Sequence, residues 1–192
     1  MTIEILPYEV AVKYLGRKVS FCEPHRTEVD NRIACAWRRF GSVRTELTSK
    51  NFSLSSRLRL FDMTVGATFL YGAATWTLTK ELEIKIRGTQ RKMLRMMLGS
   101  NRRVIGRDDH GAILEPWPDW IQRTTRQAED HMRHLQLRDW VRAHESAKQK
   151  WLLSITESGG DNWTYWALHW SPGGTRRPGR PRKRWTDGPT NE

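Results

Sequence analysis

The sequence predicts a mainly α-helical protein with a short β element at its N-terminus and a disordered basic tail. Residues 3–21 alternate between apolar and polar side chains and are rich in β-branched and aromatic types, which is typical of short strands. From residue 29 onward, apolar residues recur about every 3.6 positions, as they do on the buried face of a helix. After residue 171 the chain consists mainly of Gly, Pro, Arg and polar residues, a composition that favours disorder.

The strands and the first two helices are delimited by turn and capping residues. Pro7 and Gly16 punctuate the N-terminal segment and predict two or three short strands. Gly41 is the predicted stop of a first helix, whose apolar face consists of Val29, Ile33, Ala36, Trp37 and Phe40. A second helix is predicted to begin at Ser55 or Ser56, because serine accepts from the free amides of a first turn. Its buried side comprises Leu58, Phe61, Val65 and Phe69.

The third helix, predicted over residues 80–98, has the clearest signals. Thr79 is a suitable N-cap and Gly99 a suitable stop, while acids lie near the start of the helix and bases near its end. Its apolar stripe consists of Leu82, Ile86, Met93 and Met97, and its cationic side chains are Lys85, Arg87, Arg91, Lys92 and Arg95. We interpret the stripe as core.

The second half of the chain begins with a break in periodicity. Glycines and prolines between residues 100 and 118 predict a linker or a long loop. Asp119 is a suitable cap for a helix through about Leu135, and a further helix is predicted over Trp140–Ile155. The chain is thus divided into strands at 1–22, a helical bundle at 23–99, a linker at 100–118, C-terminal helices at 119–157 and a basic tail rich in Trp, Arg, Pro and Gly at 158–192.

Charge indicates a polyanionic partner. The 192 residues include 33 Lys+Arg and 21 Asp+Glu, which give a formal net charge of +12. Residues 51–110 hold eleven bases and five acids, and residues 171–185 hold six bases and no acid. Two separate concentrations favour two contact surfaces for RNA or DNA, although a run of charge is also compatible with an ordinary solvated face.

The sequence also bears on membrane insertion, secretion and metal binding. No apolar run approaches the roughly 20 residues of a membrane span, and the N-terminus lacks a basic signal region, so we expect an intracellular protein without a membrane partner. Cys22, His25 and Cys35 lack a fourth ligand for zinc. The doublet Asp108-Asp109, of a type found in two-metal sites, lies in a polar loop sequence. We predict no catalytic residue, metal or cofactor in this chain.

The tail carries a second candidate nucleic-acid contact. A Gly-Arg-Pro core at residues 179–181, flanked by bases, resembles an AT-hook, in which arginines enter the narrow minor groove of A/T tracts. A generic basic tail or a nuclear-targeting run fits equally well, and the latter indicates a nuclear location. The candidate residues are Arg176, Arg177, Arg180, Arg182, Lys183 and Arg184, together with Trp185, which is suited to stacking on a base.

Several short segments together resemble the end of a non-LTR (LINE-type) retrotransposon reverse transcriptase. They include Lys13-Tyr-Leu-Gly16, Leu60-Phe-Asp62, Phe69-Leu-Tyr-Gly-Ala-Ala-Thr-Trp76 and Gln90-Arg-Lys-Met-Leu-Arg95. Later segments with the same resemblance are Leu114-Glu-Pro-Trp-Pro-Asp119, Arg138-Asp-Trp140, Lys150-Trp151, Leu168-His-Trp-Ser-Pro172 and Gly179-Arg-Pro-Arg-Lys-Arg-Trp-Thr-Asp187. Their order and spacing, rather than any one of them, carry the likeness over nearly the whole chain.

The resemblance implies a function in holding nucleic acid. It makes Lys13, Tyr14, Leu15 and Gly16 a primer-grip-like strand, and the segment from Phe69 through the third helix a thumb-like element. The five cations of that helix become candidate phosphate contacts for a template–primer duplex. The family's aromatic-Ala-Asp-Asp hairpin, whose palm would bind Mg²⁺, is not among these residues, so the chain alone is expected to be inactive as an RNA-directed DNA polymerase.

Two other interpretations remain open from the sequence. One is a stand-alone DNA- or RNA-binding module with an AT-hook-like tail, and the other is a non-functional retroelement remnant. The second is suggested by departures from the family pattern: the Lys-Trp-x-Trp-Ala-Gly-His motif is reduced to Lys150-Trp-Leu-Leu-Ser154, and Asp187-Gly188 replaces two acids. The sequence does not determine the oligomeric state.

Overall fold

The computed structural model describes residues 7–108, 111–170 and 185–186 and is mainly α-helical, as the sequence predicts. Two strands, β1 (Val12–Tyr14) and β2 (Arg17–Val19), form an antiparallel hairpin before the first helix. A further strand expected near Ile3 and Ile5 lies outside the described residues. The helices of the bundle are α1 (Pro24–Ser42), α2 (Arg44–Thr48), α3 (Leu54–Phe61), α4 (Ala67–Phe69) and α5 (Lys80–Leu98).

Helix α1 is longer at its C-terminal end than expected. Gly41, the predicted stop, lies inside the helix, which ends at Ser42. Glycine ends a helix when it takes a left-handed conformation, and Gly41 does not have a positive φ. The buried positions of α1 include Val29, Ala36 and Phe40, whereas Trp37, which we predicted to be core, is only half-buried.

The caps of the next helices follow the expected chemistry. Ser53, rather than Ser55 or Ser56, caps α3 by accepting from the Ser56 amide at 3.2 Å. A π-helical turn (Asp62–Gly66) joins α3 to α4, and a 3₁₀ turn (Ala73–Thr75) follows α4. Thr79 accepts from the Leu82 amide at 3.4 Å at the start of α5, and Gly99 ends that helix with φ of 61°. Both α5 predictions are confirmed.

The segment 100–118 is not a continuous loop. It contains a second hairpin of β3 (Val104–Asp108) and β4 (Gly111–Leu114), where the sequence predicted a linker or a long loop. Gly111, the first residue of β4, has φ of 126°, a conformation that glycine adopts readily. The apolar residues of the strands remain largely exposed, which leaves no clear alternating pattern between a buried and a polar face.

Glu115 fastens this hairpin to the next helix, α6 (Trp117–His134). Its carboxylate accepts from the Arg123 guanidinium at 2.9 and 2.7 Å and from the Arg103 amide at 3.2 Å. Hydrogen bonds from Arg123, and then from the Arg103 amide, outweigh the opposing effect of burial and lower the pKa of Glu115 to about 2. The hairpin is therefore held by polar contacts rather than by an apolar face.

One core joins the first and second halves of the chain. Helix α7 (Trp140–Ser158) inserts Trp140 between Phe61 and Phe69, with ring centroids 5.8 and 4.3 Å apart and nearly parallel planes. A Cβ at Gly66 would be in ordinary contact with the Trp140 Nε1 atom at 3.5 Å, but it would crowd the Asp62 Oδ1 atom at 3.1 Å. A 3₁₀ turn (Gly159–Asp161) and helix α8 (Trp163–His169) follow, within the segment that we assigned to the tail.

The sequence boundaries of the later helices differ little from the observed ones. Helix α6 begins two residues before Asp119 and ends at His134, and α7 extends three residues beyond Ile155. Disorder was predicted after residue 171, and that segment lies outside the described residues apart from Trp185 and Thr186. None of the helices in the described ranges has both the length and the apolar character that a membrane span requires.

Candidate nucleic-acid interface

The primer-grip-like segment forms the turn of the β1–β2 hairpin. Tyr14 pairs with Arg17, and Leu15 and Gly16 are the two turn residues, with φ of 46° and 78°. Positive φ at both positions matches the right-handed twist of the flanking strands. Glycine tolerates this conformation, whereas leucine adopts it only where neighbouring contacts hold it. The side chains of Tyr14 and Leu15 are exposed.

Two side chains hold the carbonyl groups of this turn. The Tyr71 hydroxyl donates to the Leu15 carbonyl at 3.2 Å, and an Arg32 guanidinium nitrogen donates to the Gly16 carbonyl. The Arg32 guanidinium also lies over the Tyr71 ring, 5.1 Å from its centroid. Tyr71 belongs to the thumb-like Leu-Tyr-Gly segment, so two segments 56 residues apart in sequence, which the resemblance names separately, are in direct contact.

A buried carboxylate supports the same turn from α1. Glu28 is fully buried, and its Oε2 atom accepts from the Lys18 amide at 2.6 Å and from the Asn31 side chain at 3.2 Å. The Oε1 atom lies 2.8 Å from Arg32 Nε and 3.8 Å from Arg17 Nε, contacts that are ionic rather than well-aligned hydrogen bonds. Glu28 thus connects β2 to α1.

A groove of about 1080 Å³ opens between this hairpin, α1 and the α3–α4 segment. We call it the basic groove. Its cationic lining consists of Lys13, Lys18, Arg32, Arg38 and Arg39, and the facing wall carries Met63, Thr64, Thr68 and Tyr71. The acidic residue among its lining, Asp30, forms an ion pair with Lys85 at 2.7 Å.

Most of the groove's cations are available to a ligand. Lys13, Lys18, Arg38 and Arg39 are exposed, and within the described part of the chain none of them forms an ion pair. Arg32 differs, because its guanidinium is committed to Glu28 and to the Gly16 carbonyl. Four exposed cations without an ion pair among the described residues form a surface suited to phosphate oxygens.

The five predicted contacts on α5 are distributed over two sides of the helix. Lys85 and Lys92 lie on the side that faces α1, where Lys85 pairs with Asp30 and the Lys92 ammonium lies 5.7 Å from the centre of the Trp37 ring. Arg87, Arg91 and Arg95 follow one another at intervals of four residues on another side. These five cations therefore do not form one continuous surface.

The arginines on the second side of α5 face α6. Arg91 forms an ion pair with Glu129, and Arg95 donates to the Thr125 hydroxyl at 3.0 Å. Burial, and then the nearby Arg91 charge, lower the pKa of Arg95. These contacts reduce the number of α5 cations free to meet a phosphate, and the assignment of Lys85, Arg87, Arg91, Lys92 and Arg95 to nucleic acid stays a prediction.

Only one predicted residue of the tail is described. Arg176, Arg177, Arg180, Arg182, Lys183 and Arg184 lie outside the described residues. Trp185 packs onto the helical body: its indole N–H donates to the Ala74 carbonyl at 2.7 Å, and its ring meets that of Trp151 edge-on at 5.0 Å. The Lys148 ammonium lies 5.3 Å from its ring centre. In this arrangement the Trp185 ring contacts protein on several sides.

The two metal-site candidates considered from the sequence were Cys22, His25 and Cys35, and the doublet Asp108-Asp109. His25 accepts from the Thr77 amide at 3.2 Å, and burial, followed by the charges of Lys148 and Arg17, lowers the pKa of His25. Cys22 and Cys35 are free thiols. Among the described residues, no three His, Cys, Asp or Glu side chains gather in an arrangement that could hold a metal ion. Asp109 lies outside the described residues.

No sequence motif marks Lys18, Arg38, Arg39, Thr64 or Thr68 as a site residue. Arg38 and Arg39 form a basic doublet next to the apolar face of α1, and Thr64 and Thr68 are spaced by one helical turn. Those local signals indicate only that the side chains lie on the surface of a helix. It is the folded chain that brings these residues opposite the β1–β2 turn. Comparison of the chain with protein-family models, curated proteins and solved structures gives no significant match.

Proposed function

We propose that this chain is the C-terminal part of a non-LTR retrotransposon reverse transcriptase and that it grips the template–primer duplex through the basic groove. The observation that carries the proposal is the contact between the Tyr14-Leu15-Gly16 turn and Tyr71 at one wall of that groove. The resemblance assigns one segment to the primer grip and the other to the thumb, and both are elements that would meet the duplex near the primer end.

The groove's chemistry is suited to positioning rather than to catalysis. Flexible lysines and arginines neutralise backbone phosphates. The Thr64, Thr68 and Tyr71 hydroxyls donate to backbone carbonyls, so they can only accept from sugar hydroxyls. Such contacts fix the register of a duplex and carry little sequence information. The β1–β2 turn is held by Arg32 and Tyr71 before any ligand arrives, which lowers the entropic cost of forming the interface.

Nucleotide transfer itself lies outside this proposal. The resemblance implies that Mg²⁺ is bound by the palm, whose aromatic-Ala-Asp-Asp hairpin is not among the 192 residues. The described residues contain no carboxylate cluster that fits this metal pair, and no chemical step is assigned to them. The basic run at 176–184 also supports a nuclear location, because short Lys/Arg-rich segments are typical of nuclear localisation signals.

The proposal is tested by separating the body of the protein from its tail. The six basic residues between Arg176 and Arg184 are replaced by glutamine in the full chain, and Trp185 is retained because it packs on Trp151. We expect the affinity for an RNA–DNA duplex to fall by no more than about tenfold, since the phosphate contacts of the groove remain. Fluorescence anisotropy at constant salt measures the two affinities.

The other outcomes favour the other interpretations. Loss of nearly all duplex affinity in the tail variant would support a stand-alone binding module that depends on its AT-hook-like segment. A wild-type chain that binds no duplex at low salt would contradict both and would favour a non-functional remnant.

A further inference from the structure

A second concave basic site lies on another part of the molecule, between α5, α6 and α7. Its cavity has a volume of about 360 Å³ and shares no lining residue with the basic groove. Four arginines line it: Arg87 and Arg91 on α5, Arg133 on α6 and Arg142 on α7. We call it the arginine pocket. The acids that line it are Glu129 and Asp139, so the lining has an excess of positive charge.

Side-chain contacts hold the three helices together beside this pocket, and Arg91–Glu129 and Arg95–Thr125 join α5 to α6. The Gln90 side chain donates to the Arg138 carbonyl at 2.8 Å and accepts from the Trp140 amide at 3.1 Å, which fixes the start of α7 against α5. Arg138 Nε lies 3.0 Å from both carboxylate oxygens of Asp62. The arginines therefore project from a preorganised frame, a property that raises the affinity of a site because little order is lost on binding.

Both acidic residues of the pocket are already engaged. Glu129 forms an ion pair with Arg91, and Asp139 caps α7 by accepting from the Arg142 amide at 3.0 Å. Arg133 forms an exposed contact of 3.5 Å with Asp130. Arg142 has no ion pair within the described part of the chain. The carboxylates thus leave part of the positive charge of the pocket uncompensated.

Arg87 supplies the observation that points to a ligand. Its Nε atom is buried, and among the described residues it has no hydrogen-bond partner. Buried polar atoms are satisfied in the great majority of cases, so the missing acceptor of Arg87 Nε is a water or a ligand in the adjoining cavity. Guanidinium groups bind phosphate with two parallel hydrogen bonds, which suits a site where several arginines converge.

We propose that the arginine pocket binds a phosphate group, with Arg87 and Arg142 as its main donors. Two kinds of ligand carry such a group. One is the backbone of a nucleic acid, and the other is a free phosphate or a mononucleotide. The pocket lies apart from the basic groove and the tail, but Arg87 and Arg91 are among the α5 cations assigned to the duplex. Its assignment to nucleic acid therefore rests on the proposed function, and its assignment to free phosphate does not.

The first experiment titrates inorganic phosphate into the full chain at constant ionic strength, adjusted with chloride. Thermal unfolding and calorimetry report binding, since a ligand specific for the folded state raises the melting temperature. We expect saturable stabilisation of the wild-type chain. Arg87→Gln should weaken phosphate binding about tenfold or more, because it removes a charge-assisted hydrogen bond. The matched control is Arg59→Gln, an exposed arginine on α3 that lines neither site and should bind phosphate as the wild type does.

Two results would overturn the proposal. One is the absence of saturable phosphate binding by the wild-type chain, and the other is an equal effect of phosphate on all three proteins, which would show a general anion effect. If Arg87→Gln does not fold, Arg142→Gln provides the same test, because Arg142 is exposed in the first turn of α7. The same weakening is expected for it.

A second measurement identifies the source of the phosphate. An RNA–DNA duplex is titrated into the wild-type chain and into Arg87→Gln. Weaker duplex binding by the variant, together with competition by inorganic phosphate, assigns the pocket to a nucleic-acid backbone phosphate. Unchanged duplex binding, with phosphate affinity still lost, assigns it to a free phosphate or mononucleotide. Failure of the wild-type chain to bind any duplex would count against the proposed function and the assignment to nucleic acid, and not against a site for free phosphate.

Discussion

Replacing Trp140 with alanine is expected to lower the free energy of unfolding by about 3–5 kcal/mol, the range for removing a large buried aromatic side chain. Trp140 is fully buried and stacks on both Phe61 and Phe69, so its loss leaves a cavity lined by rings that cannot easily collapse. Urea denaturation followed by far-UV circular dichroism measures the effect. A single cooperative transition is expected for the wild type, because α7 shares its core with α3 and α4.

Two further substitutions define what the Trp140 result means. Trp140→Phe keeps a ring in the stack and removes an indole N–H that has no hydrogen-bond partner in the described part of the structure, so it should cost clearly less than Trp140→Ala. Trp163→Ala, at a tryptophan that is 88% exposed, should change stability by less than about 0.5 kcal/mol. A Trp140→Ala variant as stable as the wild type would contradict the shared core.

Replacing Glu28 with glutamine is expected to cost about 3–5 kcal/mol of stability, because it leaves a buried positive charge without its partner. Glu28 is fully buried beside the almost fully buried Arg32, and it also accepts from the Lys18 amide. We expect faster hydrogen exchange of the Lys18 amide as well, since the neutral amide oxygen is a weaker acceptor than the carboxylate. Chemical denaturation and amide exchange are the two measurements.

The control for Glu28 lies at the start of the same helix. Glu23 is exposed and lies 3.6 Å from Arg26, so Glu23→Gln should cost no more than about 1 kcal/mol, as is usual for surface ion pairs. Equal costs at the two positions would show that the buried charge cluster does not hold the hairpin to α1.

The sequence predicted best those elements whose signals are local. Helix α5 has its cap, its stripe and its terminal glycine within 21 residues, and all three are as expected. Gly41 was misassigned because a glycine stops a helix only when the following chain turns away, and here α2 begins directly after α1. The β3–β4 hairpin was missed because its stability comes from the Glu115–Arg123 contact and not from an apolar face.

The candidate site was harder to predict than the fold because its parts come from distant segments. The Tyr14-Leu15-Gly16 turn was singled out by resemblance, but the Tyr71 hydroxyl that holds it lies 56 residues from Leu15 in sequence. From the sequence, all five cations of α5 were assigned together as phosphate contacts. Their actual neighbours, including Asp30, Trp37 and Glu129, belong to other helices and could not be read from the segment itself.

The salt dependence of duplex binding by an Arg38→Gln/Arg39→Gln variant tests the central claim most directly. Both arginines line the basic groove and are exposed, and the matched control is Arg59→Gln/Arg107→Gln, which removes the same charge from α3 and β3. Anisotropy titrations with an RNA–DNA duplex at several salt concentrations give the slope of log K against log salt. If the groove holds the duplex, the slope of the groove variant should be smaller in magnitude by about two, at roughly 0.9 per phosphate contact, and the control should match the wild type. Equal slopes and affinities for both double variants would contradict the claim that the basic groove grips the template–primer duplex.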